Sequence, residues 1–257
     1  LQRWPRETWS ERFIILTRPE TAFHPGCIEA FAQAFAADPN CMLLGPKMLL
    51  AEVSQTLDQD TIEMQMTRQI YEVGYTCGKD RCLSFLQAGE EDTDENQRVR
   101  REVFGSSEPC LAIRASAFEF LLEGPDRWLD ESLPRGQELV DLCWRAHIAG
   151  LSVSVLPSAC VWFIPSEAHD QLAARRYFYL AGPIREKNDW LSLELLHLPW
   201  VLFGFIRSAL TLITHPSRLS RRIREWFAWM RAPRPTPVQN RLRRVSVAEM
   251  RRWFVSR

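Results

Sequence analysis

The residues able to do chemistry cluster in three places. Arg18-Pro-Glu20 follows the apolar run Phe13-Ile-Ile-Leu-Thr17. Glu138 and Asp141 stand in the opening turn of a stretch with helical character, and Trp144 and Arg145 come one turn later. From Arg207 onward, 13 arginines face only two acids, Glu225 and Glu249. A guanidinium fork matches pairs of phosphate oxygens, and a carboxylate can take a proton or hold a divalent ion. Each group also has a plainer reading. Glu20 reads equally as a surface acid in a turn. Glu138 and Asp141 read equally as a solvated first turn favoured by the helix dipole. Cys143 and Trp144 read first as core. His24, His147, His169, His197 and His215 show no ligand spacing. The seven cysteines are odd in number and never spaced C-x-x-C, which argues against a disulfide framework or zinc knuckle and fits a reducing compartment.

These residues need elements to position them. With 257 residues, 46% apolar and 25% charged, the chain has ordinary globular composition and room for one large α/β domain plus an appendage. No stretch at its start reads as a signal peptide. Residues 12–17 read as a buried strand. Pro25 opens a helix whose Ile28, Phe31, Phe35 and Ala36 share a face, and Asp38-Pro-Asn40 ends it. Cys41 to Gly45 reads as a strand closed by Gly45-Pro-Lys47. Residues 51–100 read as polar excursion loops with marginal strands. Cys110 to Arg114 reads as a third strand, and Ser116-Ala-Phe-Glu119 as a capping box opening a helix. Gln137 to Ala149 is expected to be a helix stopped by Gly150, followed by a strand, Leu151 to Leu156, ended by Pro157. Strands alternating with helices imply an α/β sheet with parallel members.

The charge is zero overall but divided. Residues 207–257 carry +11 and residues 1–206 carry −11. After Pro216, Leu219, Ile223, Trp226, Phe227 and Met230 form one stripe, with Arg218, Arg221, Arg222 and Arg224 on the rest of the helix. A basic amphipathic helix with aromatic residues at its apolar edge is what an interfacial anchor requires, so an anionic membrane surface is the expected partner. Nucleic acid is not expected: residues 207–257 hold no Lys, and the arginines back an apolar stripe. The stripe over Leu191, Leu195, Leu198, Leu202, Phe205 and Ala209 is broken by Glu194, His197, Pro199 and Arg207, too often for a membrane span. Ser246-Val-Ala-Glu249 reads as a second capping box, opening a last short helix.

Several stretches, taken in order, resemble the bacterial family-2 glycosyltransferases that build rhamnose-containing and related surface polysaccharides. They are Phe13 to Thr21, Asp38-Pro39 with Gly45-Pro-Lys-Met-Leu49, and Val103-Phe-Gly-Ser-Ser107 with Leu111 to Ser116. Trp128-Leu-Asp-Glu131 and Gln137-Glu-Leu-Val-Asp-Leu-Cys-Trp-Arg145 follow, then Gly150 to Ala159, Arg185 to Asp189 and Arg244 to Phe254. Val140-Asp-Leu-Cys-Trp-Arg145, spaced before Gly150, is the most specific of these. The resemblance covers nearly the whole chain.

The resemblance implies a partial GT-A-like α/β fold, a mixed or parallel sheet with flanking helices, in residues 1–170. A helical, membrane-surface tail in 171–257 would follow. The family's amino-terminal β-α-β half, which holds the nucleotide base, would precede the chain's start. The implied activity moves a sugar from a nucleotide-sugar donor, dTDP-rhamnose or a relative, to a lipid-linked or cell-surface polysaccharide acceptor. The implied location is peripheral, on the cytoplasmic face of the bacterial inner membrane. By the same resemblance Glu20 would hold Mg²⁺ or Mn²⁺, and Glu138 or Asp141 would be the base; Arg18, whose fork matches phosphate oxygens, would instead meet the donor diphosphate in a metal-free arrangement. Gly105, Ser106, Asp130, Trp144 and Arg145 would line the acceptor side, and Leu219, Arg221, Arg222, Ile223, Trp226, Phe227 and Met230 would contact the membrane. The chain departs from the pattern at Arg18 and Glu20, at Leu139 where the base is usual, and at Trp162-Phe163 where a His is common. The alternative function is therefore a truncated or degenerate non-catalytic homologue in a membrane assembly.

Overall fold

Alternation of side chains about one buried strand explains the centre of the molecule. In Cys110–Arg114 every residue is buried. Leu111 and Ile113 face one apolar cluster, and Cys110 and Ala112 face another on the opposite side. A strand covered on both faces belongs in the middle of a layered α/β fold. The computed structural model describes residues 11–55, 62–79, 81–93, 99–106, 109–122, 128–131, 133, 137–165, 177–179, 188, 206 and 244–255.

Chain order is β1 (Phe13–Thr17), β2 (Thr21–Phe23), α1 (Cys27–Ala37), β3 (Cys41–Gln55), β4 (Ile62–Glu72), β5 (Tyr75–Gly78) and β6 (Cys82–Phe85). Then come β7 (Arg101–Glu102), β8 (Cys110–Arg114), a 3₁₀ turn (Ala115–Ala117), α2 (Phe118–Leu121), α3 (Glu138–Ile148) and β9 (Ser152–Phe163). β10 (Tyr177–Tyr179), α4 (Val247–Arg251) and β11 (Phe254–Val255) complete the described elements.

Among the described residues the larger sheet runs β1-β8-β3-β9-β2, with β4 on β3 and β7 on β9. β3 and β9 are parallel, and the other pairs are antiparallel, so the sheet is mixed. α1 packs on one face through Cys27, Phe31 and Phe35. α3 covers the other through Leu139, Leu142, Cys143 and Ala146. Gly150, at φ +75, ends α3 and turns the chain directly into β9, so the helix runs back over the sheet against β9.

Two prolines mark where sequence and structure part. Cys41 to Gly45 and Leu151 to Leu156 read as short strands, yet both continue past Pro46 and Pro157. Proline lacks the N–H a ladder needs, and there the register slips: Pro46 pairs with Leu156, and Lys47 with Cys160. The strands resume beyond the bulge.

Residues 51–100, expected as polar excursion loops with marginal strands, include among the described residues the outer part of β3 and all of β4, β5 and β6. Met64 and Met66 on β4 are exposed, and its buried apolar residues, Ile70 and Tyr71, come only at its end. Ile28 is 50% exposed, because the buried line of α1 is Cys27, Phe31 and Phe35. Ser116 is not a cap residue, since it sits inside the 3₁₀ turn that precedes α2. Ser246 does cap: its Oγ accepts from Glu249 N at 3.2 Å, and Ser246 N donates to Glu249 Oε2 at 2.7 Å.

Strand pairing crosses the expected division at residue 170. β10 pairs with β6 and β11 with β5 in a second sheet, ordered β10-β6-β5-β11. Met250 and Phe254 are buried in one cluster with Tyr75, Phe104 and Trp144. These parts of 171–257 therefore belong to the α/β body. Leu219, Arg221, Arg222, Ile223, Trp226, Phe227 and Met230 lie outside the described residues. No helix among the described residues is long and apolar enough to cross a membrane.

Candidate functional site

Strand directions orient two of the three chemical clusters towards the carboxyl ends of the parallel strands. β1 is antiparallel to β8, and β8 to β3, so β1 runs parallel to β3 and β9. The β1–β2 turn carries Arg18 and Glu20 beyond the end of β1. α3, running the other way, begins towards that same end with Glu138. This is the end of an α/β sheet where strand carboxyl termini leave a crevice.

The β1–β2 turn is firmly held. Arg18 N donates to Pro109 O at 3.2 Å, and Thr21 Oγ1 donates to the same carbonyl at 2.9 Å. Ile164 N donates to Glu20 O at 3.0 Å, fastening the turn to the end of β9. Within it, Arg18 Nε donates to Glu20 Oε2 at 3.3 Å. That contact sets a cation beside the expected metal ligand. A divalent ion wants several oxygen donors and no adjacent cation. Here the expected ligand is paired with a guanidinium, and no group of three or more His, Cys, Asp or Glu among the described residues could hold an ion. The residues around Glu20 do not fit Mg²⁺ or Mn²⁺.

At the start of α3 the two candidate bases differ sharply. Glu138 is partly exposed. Asp141 is fully buried, its Oδ2 accepting from Arg145 Nε at 2.7 Å and its Oδ1 from Asn188 Nδ2 at 2.7 Å. A base must reach the proton it takes. Asp141, enclosed with both oxygens engaged, is a scaffold group. Leu139, at the position where the resemblance expects the base, is 5% exposed and faces the core.

The expected acceptor residues are mostly enclosed as well. Arg145 is fully buried, donating from Nη1 to Leu121 O and from Nη2 to Trp128 O at 2.7 Å. Trp144 is buried against Phe104 and Phe254, with ring centroids 5.6 Å and 5.7 Å away. Ser106 is buried against Gly45, where a Cβ would meet its Oγ at 2.1 Å. Gly105 leaves room for the Tyr75 ring, whose hydroxyl would lie 2.2 Å from an added Cβ. None of these four offers surface to a saccharide. Asp130, partly exposed, keeps that possibility.

Burial also fixes the ionisation of the interior. It pushes the Cys143 thiol up to about 11 and the Tyr75 phenol well above its usual range. It pushes His147 down to about 4. The His147 ring contacts Phe104 O through Nε2 at 2.9 Å, and its centroid lies 3.9 Å from that of the Trp253 ring. These groups are neutral at pH 7 and belong to the packing.

Sequence reasoning missed three polar features. Lys47 and Asp92 form a buried ion pair at 2.6 Å. Arg114 donates to the carbonyls of Phe35, Asp38 and Cys41, closing the carboxyl end of α1. Trp162 lies against His24 beside the β1–β2 turn, with ring centroids 5.0 Å apart. Only Asp141 and Arg145 carried a local signal, their i, i+4 spacing on a helix.

No protein-family model matches the chain, and no curated protein matches it significantly. Among solved structures it is similar to a crystal structure of GalNAc-T7 with UDP, GalNAc and Mn²⁺. Identity is 11%, and the TM-score is 0.42. The match covers 60% of this chain and 27% of that one, so it spans about a quarter of the GalNAc-T7 chain.

Proposed function

We propose that this chain is part of a glycosyltransferase that moves a sugar from a nucleotide-sugar donor to a lipid-linked or polysaccharide acceptor. The observation that carries the reading is the partly exposed carboxylate of Glu138 in the first turn of α3. The ordered resemblance of residues 13–159 to family-2 glycosyltransferases supports it, and rhamnosyl transfer is the form that resemblance suggests. Glu138 serves as the base that takes the acceptor hydroxyl proton as the glycosidic bond forms. Arg18 faces the leaving diphosphate, where negative charge grows. The basic, apolar-striped stretch after Pro216 rests on an anionic leaflet, which would bring a lipid-linked acceptor to the same surface.

The test is transfer from labelled UDP-, GDP- and dTDP-sugars to a bacterial lipid-linked acceptor pool, using the chain in its natural full-length context. Glu138→Gln should lower the chemical step by about 100-fold or more, the usual contribution of a general base. Retention of full activity would remove Glu138 from the mechanism. Liposome pelleting checks the membrane clause: binding to anionic vesicles should weaken with salt and be lost in Trp226→Glu with Phe227→Glu. Failure of the wild-type protein to pellet at low salt would end it.

A second reading, a non-catalytic homologue, has its own support. Leu139 stands in the core where an acid is expected, and Asp141 is locked between Arg145 and Asn188. Absence of transfer from every donor, with the protein folded and lipid-bound, would favour it.

A further inference from the structure

We infer that Asp141 and Arg145 are positioning residues that latch the 128–131 segment and Asn188 against α3, and that this latch shapes the acceptor side of the site. The inference rests on the reading of Glu138 as the base. Arg145 uses three nitrogens for three purposes: Nε meets Asp141 Oδ2, Nη1 meets Leu121 O and Nη2 meets Trp128 O. Asp141 then accepts from Asn188, which is itself fully buried. Segments distant in sequence thus converge on one guanidinium–carboxylate pair.

Stability alone does not explain such a pair. Removing two charges from water costs about as much as their attraction returns, and apolar residues of similar volume often serve as well. What apolar residues cannot do is hold two main-chain carbonyls in fixed directions, as the planar fork does. Those carbonyls flank residues 123–127, so the fork fixes the end of α2 and the start of the 128–131 segment together. The Trp128 ring packs edge-on against Phe118, with centroids 5.1 Å apart, as a second anchor. From there Leu133 N donates to Asp130 O at 3.1 Å, and Leu133 joins Val140 of α3 in one apolar cluster. The segment bearing Asp130 therefore lies along the opening turns of α3, where Glu138 stands.

The test separates this role from simple packing. In the full chain, Asp141→Leu with Arg145→Met should still melt cooperatively, whereas amide exchange at Leu133 should rise by about tenfold or more. Exchange in β3 and β8 should stay as in the wild type. Unchanged exchange at Leu133 overturns the latch. If the double variant fails to fold, Arg145→Lys answers the same question. It keeps a cation beside Asp141 but cannot span both carbonyls, so the same local rise is expected and its absence is again decisive.

In a transfer assay the acceptor KM should rise about tenfold, with a smaller fall in kcat, as lost positioning predicts. Asp141→Asn should keep the acid limb of the pH–rate profile that Glu138→Gln removes. An unchanged KM with a loosened segment, or loss of the limb in Asp141→Asn, would overturn the assigned role. If the wild-type protein transfers no sugar at all, the proposed function falls and the acceptor clause with it, while exchange at Leu133 still decides the latch.

Discussion

Leu139→Asp tests how α3 is turned on the sheet. The substitution supplies a carboxylate at the position where the resemblance expects the base. Leu139 is 5% exposed and shares its cluster with Leu43, Leu111, Val153 and Val155. Losing its apolar burial costs about 2 kcal/mol. Seating a carboxyl there adds a further penalty of about 2 kcal/mol or more. The helix dipole would favour a negative charge in this first turn by only about 0.3–1 kcal/mol, so burial wins. A net loss near 4 kcal/mol corresponds to a fall in Tm of about 10 °C for a chain of this size. The pH dependence follows from burial. The new carboxyl has an unfolded pKa of about 3.9, and desolvation raises it in the folded state. The unfolded chain then binds fewer protons, so the penalty grows as pH rises above about 4 and shrinks below it. Calorimetry at pH 7 and pH 4 should show a wide gap to the wild type at the first and a narrower one at the second. A Tm within about 2 °C of the wild type at both would mean that position 139 faces solvent, and the orientation of α3 described above would be wrong.

Three further outcomes follow from the buried groups. Burial holds His147 near a pKa of about 4, so the stability it contributes is full above its unfolded value of about 6.5 and is lost as pH falls towards 4. Urea unfolding should show a loss of about 2 kcal/mol between pH 7 and pH 5 that His147→Gln removes. Phe254→Ala should cost about 3–5 kcal/mol by the same assay, because the ring fills a cluster with Phe104 and Trp144 and lies 3.9 Å from the Arg81 guanidinium. All seven cysteines are buried, and burial raises Cys27 to about 12 and Cys41 and Cys160 to about 11. Ellman's reagent should therefore find almost no thiol in the native protein and all seven after denaturation, whereas rapid native reaction would contradict the packing.

Local signals in the sequence were reliable where one element decided its own fate. α1, β8 and α3 were legible from periodicity, from Asp38-Pro39 and from Gly150. The capping box at Ser246 was legible because both of its bonds are local. Tertiary partners decided the rest. Pro46 and Pro157 read as strand ends when each is considered alone, but Pro46 pairs with Leu156 and the register slips past Pro157 in a bulge that neither strand reveals. β4 read as no more than a marginal strand because its buried apolar residues come only at its end. In the candidate site, the place of Glu138 in the opening turn of α3 and the turn at Arg18–Glu20 were legible by spacing. Which acid of α3 is enclosed was not. That depends on Asn188 and Trp128 O, and nothing in the local spacing of Asp141 announces either.

The pairing of β11 with β5 also sets a schedule for synthesis. Phe254 lies beside Cys77, although 177 positions separate them. At roughly 5–20 residues per second, β5 and the pocket beside Trp144 wait about 10–35 s on the ribosome for the strand and ring that cover them. Until then the nascent chain presents an open strand edge next to aromatic surface, the combination that invites wrong pairings. A chaperone that engages the chain during this interval would be guarding one gap, and its release would be timed by the emergence of Phe254.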